Sequence, residues 1–194
     1  SECKWMHTCI SSIGVDSDVM VGTALVNVYS KLGSLQEALM AFKMILEPNT
    51  ISWNTIIRSY IRFDLTEDAL GVLYRMQIEG NFPDKFTFML LLPICDCQKT
   101  LLMHAFISSC KFESDILIEN TLISTYGKCG RLRDAWVIFE DMSSRNVVTW
   151  NALLETLMQH EQVEVVIQNF QQMLLEGIEP DQVSFSIAVS ACAS

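Results

Sequence analysis

A chain of 194 residues, half of them hydrophobic, holds ample apolar surface for a buried core and is not a disordered segment. Its formal net charge of −10 argues against nucleic-acid binding by bulk positive charge but leaves room for a locally basic groove. The seven cysteines are odd in number and lack framework spacing, and Cys95-x-Cys97 is too tight for a zinc pair, so they are expected as small buried or half-buried hydrophobes in a reducing compartment.

In chain order, Ser1–Asp18 reads as the tail of a hairpin cut at its start. Val19–Asn49, 31 residues, follows. Its Leu25, Val26 and Tyr29 mark the inner face of a first helix, Lys31-Leu32-Gly33 a turn, and Ser34 with Glu37 a capping box opening a second helix on which Ala38 and Phe42 pack back. Thr50–Asp84, 35 residues, places Trp53, Ile56, Ile57 and Tyr60 at helical spacing, breaks at Arg62–Thr66, and resumes with Ala69, Leu70, Leu73 and Met76. Gly80 suits a left-handed position after that helix, and Pro83 prevents its resumption. Lys85–Asp115 carries Phe86, Phe88, Leu91, Leu92 and Cys95, then Met103, His104, Phe106 and Ile107. Its apolar run Phe88–Leu92 stops at Pro93, far short of a membrane span.

The pattern then starts again. Ile116–Asn146 and Val147–Asp181 copy the second and third units at a constant offset of 97 residues, the separation of Trp53-Asn54 from Trp150-Asn151. The same shift relates Tyr29 to Tyr126, Phe42 to Phe139, Met76 to Met173, Pro83-Asp84 to Pro180-Asp181 and Met6-His7 to Met103-His104. Gln182–Ser194 begins a further unit. No hairpin of this size buries its apolar face alone, so the expected fold is all-α: an α-solenoid superhelix of stacked helix-turn-helix hairpins over residues 1–194, with the first helices on the concave side. The cut ends predict a fragment that needs flanking repeats or a partner. No signal or transit peptide is visible.

Units with Trp-Asn near the start and Met, Gly and Pro-Asp near the end resemble the pentatricopeptide repeat (PPR) family. The strings that carry the resemblance are Ile51-Ser52-Trp53-Asn54-Thr55-Ile56-Ile57, Val148-Thr149-Trp150-Asn151-Ala152-Leu153-Leu154, Gly177-Ile178-Glu179-Pro180-Asp181 and Tyr126-Gly127-Lys128-Cys129-Gly130. The alternation of unit lengths is similar to the plant PLS-type subclass. In that scheme 1–18 is a partial long repeat, 19–49 short, 50–84 standard, 85–115 long, 116–146 short, 147–181 standard and 182–194 a partial long repeat.

The resemblance implies a non-enzymatic protein of mitochondrion or chloroplast that binds single-stranded organellar RNA, one base per repeat. It implies no cofactor, no metal and no membrane. It also implies a role as a site-recognition adaptor for RNA processing, C-to-U editing in particular, with editing-complex proteins or a large ribonucleoprotein assembly as further partners. Bases would be read by the fifth and last residues of a unit: Thr23 with Asn49 (adenine), Asn54 with Asp84 (uridine), Asn120 with Asn146 (a pyrimidine) and Asn151 with Asp181 (uridine). Asn offers donors and an acceptor, Thr a hydroxyl, and ionised Asp only acceptors, so such pairs have the required chemistry. Met89 holds the fifth place of its unit and specifies nothing by hydrogen bonding. Second residues Met20, Ile51, Phe86, Leu117, Val148 and Val183 would sandwich the bases. Lys31, Arg62 and Lys128 would meet phosphates, and Gln159 departs from that pattern.

Plainer roles compete. Asn54 and Asn151 could bond local backbone; Asn49, Asp84, Asn146 and Asp181 could cap the next helix, alone or in addition. Lys31 and Lys128 could be solvated turn residues. Trp53 and Trp150 are expected in the core, His7 and His104 in structural roles, and His160 at the surface. No zinc-deaminase signature, phosphate loop or nucleophile elbow occurs, so no residue is assigned a catalytic role. The alternative function is a protein-binding helical-repeat scaffold or structural subunit of a large assembly.

Overall fold

A computed structural model describes residues 2–112 and 114–193, and among them every regular element is helical. The helices are α1 (Glu2–Ile13), α2 (Val19–Lys31), α3 (Leu35–Met44), α4 (Thr50–Arg62), α5 (Thr66–Ile78), α6 (Lys85–Leu91), α7 (Cys97–Ser109), α8 (Ile116–Lys128), α9 (Leu132–Asp141), α10 (Val147–Gln159), α11 (Val163–Leu175) and α12 (Gln182–Cys192). The chain divides into two compact units, Ser1–Ile94 and Cys95–Ser194, and the division falls inside the span 85–115.

In the first unit α2 packs on α3 and α4 on α5, while α2 lies beside α4 and α4 beside α6. The first helices of successive hairpins thus form one layer and the second helices the other. The second unit repeats the scheme: α8 with α9, α10 with α11, and α8, α10 and α12 side by side.

Two kinds of junction set these lengths. Between hairpins, Asp18, Asn49, Asp84, Asp115, Asn146 and Asp181 stand at the N-cap with extended backbone, and each side chain accepts a backbone N–H from the first turn. Within hairpins, the first helix ends in a Schellman turn: Ser34 N–H donates to the Tyr29 carbonyl and Gly33 N–H to that of Ser30, and Leu65–Tyr60, Arg131–Tyr126 and Gln162–Leu157 repeat the longer bond. The left-handed residue is Gly33 or Gly130 in the 31-residue units but Asp64 (φ 57°) or Glu161 (φ 56°) in the 35-residue ones.

These tight turns overturn one expectation. Ser34 precedes α3, but its side chain makes no capping bond. It closes the Schellman turn behind it, which holds its ψ at 79° instead of the more extended values of the capping residues, and Leu65, Arg131 and Gln162 share that conformation and lack a side-chain cap too. α6 is cut to seven residues because Pro93 lacks an N–H and its ring collides with the helix, so the chain passes into a 3-10 turn over Leu92–Ile94.

Trp53 and Trp150 are fully buried, each edge-on to the phenyl ring of the preceding second helix: Phe42 and Phe139, both at 4.8 Å between centroids. Ala38 and Ala135 are sealed beside them. Gly127 lets α8 and α10 approach: a Cβ there would stand 2.5 Å from Thr156 Oγ1. His104 Nδ1 lies 2.8 Å from the Tyr126 hydroxyl in a structural contact, while the side chain of His7 lies outside the described residues. Cys9, Cys95, Cys110 and Cys129 are half-buried, as expected, whereas Cys97 and Cys192 depart from expectation and are exposed, because they sit at helix ends and not on the packed stripes.

Candidate nucleic-acid interface

Each first helix from α2 to α12 opens on an Asx cap, and in α4 and α10 the side chain five residues after the cap reaches toward the next first helix. Asn54 on α4 does not bond local backbone. Its Nδ2 donates to Asp84 Oδ1 at 3.1 Å, across to the cap of α6. Its Oδ1 accepts the Thr87 hydroxyl at 2.7 Å. Asp84 also caps α6 through the Thr87 N–H at 2.9 Å, so capping and pairing coexist on one carboxylate. In the second unit Asn151 Nδ2 donates to Asp181 Oδ1 at 3.0 Å and Asn151 Oδ1 accepts the Ser184 hydroxyl at 2.5 Å. The Ser184 backbone N–H and then the Asn151 amide hold the Asp181 carboxyl below the usual carboxylate range.

The two mixed pairs are built differently. Thr23 does not reach Asn49 directly: its hydroxyl lies 2.7 Å from the Ser52 hydroxyl, which itself donates to Asn49 Oδ1 at 3.1 Å. Asn120 and Asn146 are not joined. Thr149 donates to Asn146 Oδ1 at 3.2 Å, while both polar atoms of the buried Asn120 side chain lack a hydrogen-bond partner. Thr23 and Asn54 are half-buried, and Asn120 and Asn151 are buried at the seam with the next helix.

The second residues present a second pattern. Met20, Ile51, Phe86, Leu117, Val148 and Val183 are all apolar yet exposed, from 37% for Leu117 to 80% for Met20, so the same place in each first helix presents an apolar side chain to solvent. Lys31, Arg62 and Lys128 end α2, α4 and α8, are exposed, and form no ion pair among the described residues. Gln159 ends α10 in the same place. His160, expected at the surface, is half-buried: its Nε2 lies 2.9 Å from the Gly127 carbonyl, where the close approach of α8 and α10 brings the helix end within reach.

Sequence reading missed the third residue of α4, α6, α10 and α12. Ser52, Thr87, Thr149 and Ser184 are all completely buried hydroxyl residues, and each bonds the cap that precedes it. Their recurrence three places after an Asx was visible in the sequence; the reach of Ser52, Thr87 and Ser184 to Thr23, Asn54 and Asn151 of the preceding hairpin was not. Among the described residues no group of His, Cys, Asp and Glu is placed to hold a metal ion, and no helix is long and apolar enough to cross a membrane.

Two-helix hairpins stacked within each unit, with a polar pair and an apolar flank recurring at fixed places, define a modular helical-repeat protein. The chain belongs to the pentatricopeptide repeat family: the PPR repeat model matches residues 23–48, 51–81 and 120–147, and the PPR repeat family model matches 145–194, together more than half of the chain. It is 31% identical over 98% of its length to the chloroplastic pentatricopeptide repeat-containing protein At5g50390 of Arabidopsis thaliana. It is 33% identical over 97% of its length to the mitochondrial pentatricopeptide repeat-containing protein At2g46050 of the same plant. The chain spans 28% and 32% of the lengths of those relatives. Among solved structures it is similar to the pentatricopeptide repeat protein PPR10 from maize, alone and in complex with an 18-nt psaJ RNA element, each with a TM-score of 0.78 at 21% identity over 95% of this chain and 28% of that one. That likeness establishes the α-solenoid repeat fold.

Proposed function

We propose that this chain is part of a sequence-selective single-stranded RNA-binding array in a mitochondrion or chloroplast. In this reading the units alternate as long, short and standard repeats, and the array acts as a site-recognition adaptor for RNA processing, with C-to-U editing as the step it serves. The observation that carries the reading is the pair Asn54–Asp84 and its copy Asn151–Asp181, each tied side chain to side chain at 3.0–3.1 Å. A polar pair held in one geometry in both 35-residue repeats, with exposed apolar neighbours for base faces and unpaired cations for phosphates, supplies the parts of a base-by-base reader. The relatives' plastid and mitochondrial names and the RNA-bound maize structure support the same assignment.

The test is binding of the full-length protein to short RNAs that differ by one base. The expected preference along the chain is A, U, an unread base, C or U, then U. The acidic balance favours the other reading, a protein-binding scaffold, which predicts equal affinity for every base at each of these places.

A further inference from the structure

A reading side chain is useful only if the hydrogen or lone pair it offers is settled beforehand, and here that choice is made in the next hairpin. Thr87 accepts the Asp84 N–H at 3.1 Å, and its single hydroxyl hydrogen faces Asn54 Oδ1 at 2.7 Å and, at the longer distance of 2.9 Å, Asp84 Oδ1. Asn54 Nδ2 gives one hydrogen to Asp84. Turning the amide over would set its oxygen against the Asp84 carboxylate and give up the Thr87 hydrogen bond, so the NH2 stays toward Asp84 and a single N–H is left for a base. Ser184 does the same to Asn151: it accepts the Asp181 N–H at 3.3 Å and donates to Asn151 Oδ1.

Other units are set differently. Ser52 lies within hydrogen-bond reach of both Asn49 Oδ1 at 3.1 Å and the Thr23 hydroxyl at 2.7 Å; when it donates to Asn49, Thr23 donates to it and keeps lone pairs to offer. Thr149 spends its hydrogen on Asn146, and Asn120, only 6% exposed, is left with neither amide atom partnered. A buried amide without partners is held in neither orientation and is costly until something bonds it. The chain varies these positions together. A hydroxyl stands third in the next first helix after polar Thr23, Asn54, Asn120 and Asn151; after Met89 the equivalent residue is the buried Ile118.

We propose that Thr87 and Ser184 are specificity-positioning residues. By holding the amide oxygens of Asn54 and Asn151 they make both side chains donor-only readers, which favours the carbonyl edge of uracil over the amino group of cytosine. Asn120 lacks that bond, so no hydroxyl of the next hairpin fixes the orientation of its buried amide. The proposal rests on the base-reading function above and adds which side chain sets the polarity of each reader.

The experiment measures Kd of the full-length protein for RNAs carrying uridine or cytidine opposite Asn54 or opposite Asn151. Thr87→Val removes the hydroxyl at near-constant shape, Thr87→Ser restores it, and Ser184→Ala provides an independent site should Thr87→Val fail to fold, which circular dichroism detects. The wild type and Thr87→Ser are expected to prefer uridine. Thr87→Val lowers the uridine-to-cytidine preference opposite Asn54 by about fivefold and leaves it intact opposite Asn151, and Ser184→Ala does the reverse. A merely structural hydroxyl would weaken both RNAs alike. Unchanged preference in a folded variant, with the wild type selective, overturns the positioning role alone. A wild type with no preference at either base overturns the base-reading function and this inference with it.

Discussion

Asp84 and Asp181 show how one carboxylate holds two neighbours in place. Each caps a helix and anchors the asparagine of the preceding hairpin. Removing Asp84 as Asp84→Ala should therefore destabilise the fold by about 1 kcal/mol, the usual worth of an N-cap. It should also free the Asn54 amide, which thermal unfolding and RNA selectivity would register separately. Asp181 carries a pH dependence of definite sign. Its carboxyl is held low by the Ser184 N–H and the Asn151 amide, so its contribution to stability is complete above the ordinary carboxylate value and lost as pH falls through the lower folded value. Melting temperature should therefore be flat in this contribution down to about pH 4 and fall below it. Asp181→Asn, which keeps an Asx cap but does not ionise, should show a shallower fall. An identical acid profile for both proteins would contradict the assignment.

The hairpin is the element that the chain repeats, and its two junctions differ in how much of them could be read from the sequence. Asx residues before first helices, glycine in the left-handed turns and Trp53 or Trp150 at helical spacing were legible because each acts within a few residues of chain or along one helix face. The capping box at Ser34 was misread because the same residue closes the turn behind it, a constraint carried by backbone geometry and not by residue type. The third-position hydroxyls were missed for a related reason: Thr87 lies 33 residues from its partner Asn54, and nothing local marks the bond. Two predictions belong at this scale. Gly127→Ala pushes a methyl carbon into Thr156 and should cost about 1–3 kcal/mol by parting α8 and α10, with Thr156→Ala recovering part of the loss in a double mutant followed by chemical denaturation. Glu161→Gly relieves a left-handed non-glycine residue and should raise the melting temperature, worth about 1 kcal/mol, since the strain of an L residue there exceeds the chain entropy glycine adds.

At the scale of the whole molecule, a net charge of −10 means that, in the proposed function, RNA would be held against the average field of this chain. In the proposed function, the exposed Lys31, Arg62 and Lys128, which form no ion pair among the described residues, are the cations for phosphate. Replacing all three with alanine should lower the slope of log affinity against log salt by about 2, given roughly 0.7 per phosphate on a single strand, while leaving base preference unchanged. Affinity would then come from backbone charge and stacking on the exposed second residues, and choice from the paired polar side chains. That division of labour is tested most directly by exchanging one reader alone. In Asn54→Thr, with Asp84 retained, the preferred base opposite that repeat should move from uridine to guanosine, and every other position should keep its preference. An Asn54→Thr protein that binds with wild-type affinity and still ranks the four bases as the wild type does would contradict the base-reading account.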